Sequence, residues 1–300
     1  MKLLFGIILV ACVCFGFFIL SRKNHEVKAH PVIHVKKDSS RIIVDKTISA
    51  YNDHNPFVEN ALKEFEGFVM TAIVNRQAPG AAVAIVKDTN IIFLKGFGLR
   101  DTKKPDSVNT RTVFRLGSVS KSVTATLVAV LVNEGVLHWD DPVIKYLPDF
   151  KLKSEEATQQ LTIRHLLSHT IGLPYHAYTS MVEDHAPFDT LKDHLKDLDL
   201  IGKPGELYSY QNVGFSLIGS VIEKATGKKL EEVFIERLFL PLGMTDASAS
   251  FKKIMMDDNV AIPHFITNPM MISSAYYSVA PAGGINASIQ DMALWLKALM

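Results

Sequence analysis

Phe114-Arg115-Leu116-Gly117-Ser118-Val119-Ser120-Lys121 runs directly into an apolar stretch that reaches Leu137. A serine and a lysine three apart lie on one face of a helix, about one turn from each other. A helix that begins near Ser118 puts the hydroxyl where free backbone N–H groups and the dipole favour developing negative charge. Lys121 then lowers the cost of deprotonating Ser118, as acceptor or as positive neighbour. The bare spacing recurs at Ser250-Phe251-Lys252-Lys253, so context has to separate the two. Ser250 leads into Ile254, two methionines and Asp257-Asp258, with no sustained helical run. After Ser118, the residues Val123, Ala125, Leu127, Val128, Val130, Leu131 and Val132 leave almost no polar face. A helix apolar nearly all round belongs in the centre of a large domain, with its N-terminus free to open onto a cleft.

Three hundred residues suit one large domain or two modest ones. A hydrophobic content of 48% and a charged content of 21% are those of a globular protein. The formal net charge of +1, with no basic stripe and no interleaved aromatics, excludes a nucleic-acid footprint. Residues 3–20 form an uncharged apolar run of 18, with Lys2 before it and Arg22-Lys23 after it. Such a run is an export signal or a membrane anchor, spanning roughly 27 Å at about 1.5 Å per residue. Val27-Lys28-Ala29 offers a signal cleavage site, and Leu9-Val10-Ala11-Cys12 resembles a lipoprotein box. An uncleaved anchor needs only the run itself, and all three readings stay open. Both cysteines, Cys12 and Cys14, fall inside it, so the remaining chain has neither a disulfide nor a thiol nucleophile.

The chain divides into residues 1–23 (signal or anchor), 24–55 (a polar tether) and 56–300 (the folded domain). Asn55-Pro56 predicts a capped helix start, followed by apolar residues at helical spacing from Phe57 to Ile73. Residues 80–87 and 91–99 are β-leaning runs joined by Asp88-Thr89-Asn90, a hairpin signal. Residues 162–173 read as a helix closed by Gly172, and residues 175–200, rich in His and Asp, as a surface excursion. Asn212 to Ala225 and Leu230 to Leu240 are helical, and Ser288-x-x-Asp291 caps a final helix. One hairpin followed by many helices predicts an α+β fold.

Tyr210-Gln211-Asn212 is the second constellation that could carry chemistry. Residues two apart on an extended segment point the same way, so both can face one cleft. Tyr210 could relay a proton beside an ammonium. Asn212 could offer its amide to a substrate carbonyl, or cap the helix that follows, which is the commoner role of such an Asn. His165 and His169 are four apart, a spacing that suits a metal. No Glu adjoins the first and no third ligand is evident, so both read as structural histidines and no metal or cofactor is expected. Asp140-Asp141 and Glu155-Glu156 read as turn and surface residues. Neither a Gly-x-Ser-x-Gly elbow nor a phosphate loop is present.

From about Pro79 to Leu299 the chain resembles the serine β-lactamase and penicillin-binding protein superfamily, on its class C and esterase-like side. The resemblance rests on Gly96-Phe97-Gly98, on Phe114 to Lys121 with its helix, and on Glu134-Gly135 to Leu147-Pro148. It continues through Thr162 to Pro174, Gly205 to Asn212, Pro241-Leu242-Gly243-Met244 and Ala282-Gly283-Gly284. It implies a five-stranded antiparallel sheet flanked by helices, beside a mainly helical region, with the active site between them. It also implies Ser118 as the acylated nucleophile, Lys121 as its activating partner, Tyr210 as proton relay and Asn212 as the substrate-binding amide. Which residue is the base is disputed even among related enzymes. The family's third motif, a Lys or His, a small residue, then Gly, has no counterpart after Gly284. Lys203-Pro204-Gly205 has the letters but precedes the second motif, and Pro cannot continue a central strand. The expectation is a family member lacking its C-terminal strands, and with them the second oxyanion donor.

Two functions follow as expectations. One is acyl transfer through a Ser118 ester, on β-lactams, D-Ala peptides or small esters and amides. The other is a membrane-tethered binding protein that keeps the cleft without the catalysis. Residues 1–55 fused to a reporter are expected to carry it across the cytoplasmic membrane, and a reporter left in the cytoplasm refutes the export reading.

Overall fold

The computed structural model describes residues 55–75 and 78–300. The apolar leading run and the tether up to residue 54 lie outside the described residues. Among the described residues, no helix is long and apolar enough to cross a membrane.

Helix α1 (Pro56–Val74) starts as its sequence predicts, with Asn55 Oδ1 accepting from the Phe57 N–H at 3.0 Å. Strands β1 (Gly80–Lys87) and β2 (Asn90–Gly98) form the antiparallel hairpin. Side chains alternate across it. Val83, Phe93 and Phe97 meet Leu62, Phe65 and Val69 of α1, while Ala82 and Ala84 face the main core. Strand β3 (Val113–Arg115) leads through a 3-10 turn, Gly117–Val119, into α2 (Ser120–Asn133). Val123, Leu127, Val128 and Leu131 of α2 are fully buried, which puts this helix at the centre. Ser122, Ala129 and Asn133 form an exposed line along it, so it is not enclosed on every side.

Helix α3 (Glu155–Gln160) is capped by Ser154, and α4 (Ile163–Leu167) by Thr162. Helix α4 is shorter than the sequence suggested. Ser168 Oγ donates back to the Arg164 carbonyl at 2.8 Å, and His169 turns out at φ 59°, so Gly172 belongs to the loop beyond. Helices α5 (Thr179–Glu183) and α6 (Phe188–His194) give structure to residues 175–200, which stay mostly at the surface as expected. Val182, Leu191 and Leu195 are buried in the main core, so this polar segment is anchored by single inward side chains.

Helix α7 (Val213–Thr226) ends at Gly227 in the left-handed conformation. Helix α8 (Leu230–Phe234) continues through a π-helical turn, Ile235–Phe239, into α9 (Leu240–Leu242). Helix α10 (Phe251–Met255) starts at Ser250, whose hydroxyl accepts from the Lys253 N–H. The second Ser-x-x-Lys is thus a helix cap. Strands β4 (His264–Phe265) and β5 (Asn268–Pro269) pair with each other. The short α11 (Ala280–Gly283) precedes β6 (Asn286–Ser288), which pairs antiparallel with β3, and α12 (Ile289–Leu299) follows from the Ser288 cap.

The fold is α+β, as expected, and its named strands pair antiparallel, with an isolated parallel bridge between Val113 and Val260. Among the described residues, however, the strands make three two-stranded sheets rather than the five-stranded sheet implied by the resemblance. Helix α1 covers one face of the β1–β2 hairpin and α12 packs against the hairpin as well, so it is held by helices instead of by further strands.

Two glycines give a stability test of opposite sign. A Cβ on Gly96 would stand 2.3 Å from the Val108 carbonyl and 2.7 Å from Asn109 Cα, both backbone atoms that cannot swing aside. Gly96→Ala is expected to lose about 1–3 kcal/mol by overpacking. Gly67 lies inside α1 with nothing within 4 Å of its added Cβ. Gly67→Ala is expected to gain about 0.5–1 kcal/mol through helix propensity. Thermal unfolding of the two variants checks both signs.

Candidate active site

Three parts of the chain converge on Ser118. The first is its own turn. Leu116 N–H donates to the Ile285 carbonyl at 2.9 Å, anchoring the end of β3. Gly117 then takes φ 52°, a left-handed value that costs an L side chain but not glycine, and swings the chain into the helix. Ser118 is left exposed at the helix entrance while Lys121, one turn on, is buried with 8% of its surface accessible.

The Lys121 Nζ meets three oxygens: Asn212 Oδ1 at 2.8 Å, the Ala282 carbonyl at 2.9 Å and Ser118 Oγ at 3.3 Å. It also lies over the Tyr210 ring, 4.6 Å from its centroid, and 5.6 Å from that of Phe215. Burial pulls the Lys121 amine down to about 7. The neutral and charged forms are therefore both accessible near neutral pH.

The second part is Ser209–Asn212. The Tyr210 hydroxyl donates to Ser118 Oγ at 2.6 Å. Burial pushes the Tyr210 phenol up, against the opposing effect of that bond, so it remains a donor. Asn212 precedes α7 but does not cap it. Its φ of −87° and ψ of −49° are already helical, and no side-chain cap bond forms. Its Oδ1 accepts from Lys121 instead, and its Nδ2 reaches Thr179 Oγ1 at 3.5 Å. The commoner role expected for this Asn gives way because Lys121, from another helix, claims the oxygen.

The third part is α11 and the Gly283-Gly284 turn, which the sequence marks as a glycine turn but does not assign to the site. Thr124 Oγ1 donates to the Pro281 carbonyl at 2.9 Å, and Ser120 Oγ accepts from the Ile285 N–H at 3.0 Å. These two bonds pin the segment whose Ala282 carbonyl faces Lys121. The available signal was Ser120 and Thr124, polar residues four apart on the buried face of an otherwise apolar helix.

His165 Nδ1 accepts from the Thr162 N–H, and His169 Nδ1 from the Gln211 N–H, so each ring has a backbone partner. Asp140 pairs with Arg164, and Asp141 is held down to about 2 despite burial by bonds from Lys145, Tyr146 and the His138 N–H. No group of three metal-ligating side chains occurs among the described residues. Tyr175 and Tyr208, which sequence reasoning passed over, are 67% and 69% exposed beside Tyr210.

The chain is similar to several known proteins over most of its length. The Unguisins hydrolase ungD' of Aspergillus campestris is 29% identical over 255 residues, 79% of this chain and 47% of the relative. Protein flp of Staphylococcus aureus is 25% identical over 228 residues, 73% of this chain and 45% of the relative. The solved structure of an octameric penicillin-binding protein homologue from Pyrococcus abyssi is 28% identical. It superposes with a TM-score of 0.66, covering 79% of this chain and 55% of its own. The chain thus spans about half the length of the curated relatives it matches. The Beta-lactamase family profile matches residues 44–300, and the chain belongs to that family.

Proposed function

We propose that this chain carries out acyl transfer through an ester on Ser118, with water as the final acceptor. The observation that carries this reading is the placement of two proton-handling groups on one hydroxyl, Lys121 Nζ at 3.3 Å and Tyr210 OH at 2.6 Å. A neutral lysine has two N–H groups and one lone pair. The two shorter contacts, to Asn212 Oδ1 and the Ala282 carbonyl, take the hydrogens and leave the lone pair facing Ser118 Oγ. Lys121 is then the base that receives the serine proton as Oγ attacks the substrate carbonyl. Tyr210, still protonated, delivers its proton to the leaving nitrogen or oxygen and recovers one from Lys121. Water repeats the sequence in reverse at the ester carbonyl, releasing the acid and restoring Ser118. Ser118 sits in the first turn before α2, where N–H groups lack helical acceptors, which supports its own N–H as a donor to the oxyanion.

On substrate, β-lactams, D-Ala peptides and small esters or amides share this chemistry. The exposed Tyr175 and Tyr208 rings beside Tyr210 favour substrates with a flat apolar group. Export to the cell envelope is part of the proposal, supported by the apolar run of residues 3–20 and its flanking cations.

Labelling with a serine-directed phosphonate or a fluorescent β-lactam tests the assignment. Ser118→Ala is expected to abolish labelling and Ser250→Ala to leave it intact. Lys121→Ala and Tyr210→Phe are each expected to slow it by about a hundredfold or more. Labelling that survives Ser118→Ala refutes the reading, and binding without any labelling turns it into that of a non-catalytic binder. Because Lys121 acts when neutral, the labelling rate is expected to fall by about tenfold for each pH unit below about 7 and to level off above it.

The same group gives a stability signature. Between about pH 7 and the ordinary lysine range, the unfolded chain binds a proton at Lys121 that the folded chain does not. Stability therefore rises with pH across that window, and the cost of burying Lys121 is greatest below it. Lys121→Met removes this dependence. Its stability relative to wild type is expected to be most favourable below pH 7 and to decline steadily towards pH 10, read by denaturant unfolding. A difference that does not change with pH shows that Lys121 titrates normally.

A further inference from the structure

Among the described residues, His169 is the one strongly shifted buried base that the mechanism above does not use. It is 8% exposed and follows α4 at φ 59°, a conformation non-glycine residues seldom hold without a reason. Beyond its own helix, its hydrogen bonds run to the segment that carries Tyr210. The His169 carbonyl accepts from the Ser209 N–H at 2.8 Å, and its Nδ1 accepts from the Gln211 N–H at 3.1 Å. Between these two anchored amides, the Tyr210 ring lies on the imidazole with centroids 4.5 Å apart and planes 29° apart. Phe215 and Tyr208 complete the surroundings of the imidazole at 5.3 and 5.8 Å. The Tyr210 carbonyl is taken by the His176 N–H at 3.0 Å.

We propose that His169 is the positioning residue for the Tyr210 hydroxyl. It grips the residues on both sides of Tyr210 and supplies the flat surface that aims the phenol at Ser118 Oγ. This rests on the reading of Tyr210 as a proton donor to the Ser118 reaction. The geometry explains why this position is a histidine. A ring is needed for the stack, and an acceptor at the δ position is needed for the Gln211 amide. Among the natural side chains, neutral histidine combines the two. The acceptor exists only while Nδ1 is unprotonated, and burial, with Lys121 adding to it, holds the ring down to about 4. A displacement of the phenol of well under 1 Å would lengthen the 2.6 Å bond to Ser118 Oγ enough to impair proton delivery.

The test uses the full chain, a fluorophosphonate probe of Ser118, and amide hydrogen exchange at Gln211. His169→Phe keeps a ring but removes the acceptor. It is expected to speed exchange at Gln211 and to slow labelling by at least about tenfold. His169→Asn restores an acceptor at the same δ position and tolerates the positive φ. It is expected to recover slow exchange at Gln211 and part of the labelling lost in His169→Phe, the remaining loss reporting the missing ring stack. In a Tyr210→Phe background, His169→Phe is expected to change labelling by less than about twofold, because the group it positions is gone. Equal losses in both backgrounds overturn the proposal, as does a folded His169→Phe protein with unchanged labelling. Should His169→Phe fail to unfold cooperatively, His169→Gln replaces it in the cycle, since its acceptor sits one methylene too far out. Labelling that depends on Ser118 and Tyr210 but ignores His169 sinks this inference alone. A wild-type chain that is never labelled sinks the acyl-transfer reading and this inference with it.

Discussion

The amine of Lys121 is surrounded by oxygens from three separate parts of the chain, and the arrangement of those parts follows from its needs. A buried ammonium with no acceptors would cost several kcal/mol. Here the side chain of Asn212, the carbonyl of Ala282 and the hydroxyl of Ser118 supply three acceptors, one for each N–H. No carboxylate contributes to its shift, and burial alone moves it. A carboxylate partner would hold the lysine charged and useless as a base. Neutral oxygens and two aromatic faces solvate the cation without locking it.

This arrangement requires that α2, the start of α7 and α11 hold a fixed relation to one another. The apolar side of α2 sits in the main core with Val213, Phe215 and Leu217 of α7 and with Ala282 of α11. The polar bonds from Ser120 and Thr124 then set the register of the Ala280–Ile285 segment. Hydrophobic packing brings the elements together without direction, and the few buried hydrogen bonds decide their alignment. The second Ser-x-x-Lys, at Ser250, shows the contrast. It has the same spacing, but its serine spends its oxygen on a helix N–H, and Lys253 reaches only the Ala247 carbonyl.

Much of the fold was legible from local pattern. The Asn55 cap, the hairpin and the Ser288 capping box all depend on neighbours within a few residues. Each was read correctly because its energetics are local. Residues 162–173 were misread as one helix, and residues 175–200 as carrying no buried side chains, where local pattern ran against tertiary demands. His169 leaves its helix to reach a segment about forty residues away, and Val182, Leu191 and Leu195 are buried because their neighbours in space are apolar.

The candidate site divides in the same way. The sequence by itself determined that Ser118 and Lys121 share a helix face, and that Tyr210 and Asn212 share one side of an extended segment, because backbone periodicity dictates both. Only the tertiary structure decided that the two pairs meet. Lys121 and Asn212 are 91 residues apart, and Lys121 and Ala282 are 161 apart. It also decided that Asn212 serves Lys121 rather than its own helix, and that the His169 ring lies against Tyr210. A side chain's partner is set by what folding brings within about 3 Å of it, and the spacing of residues along a strand or helix carries no information about that.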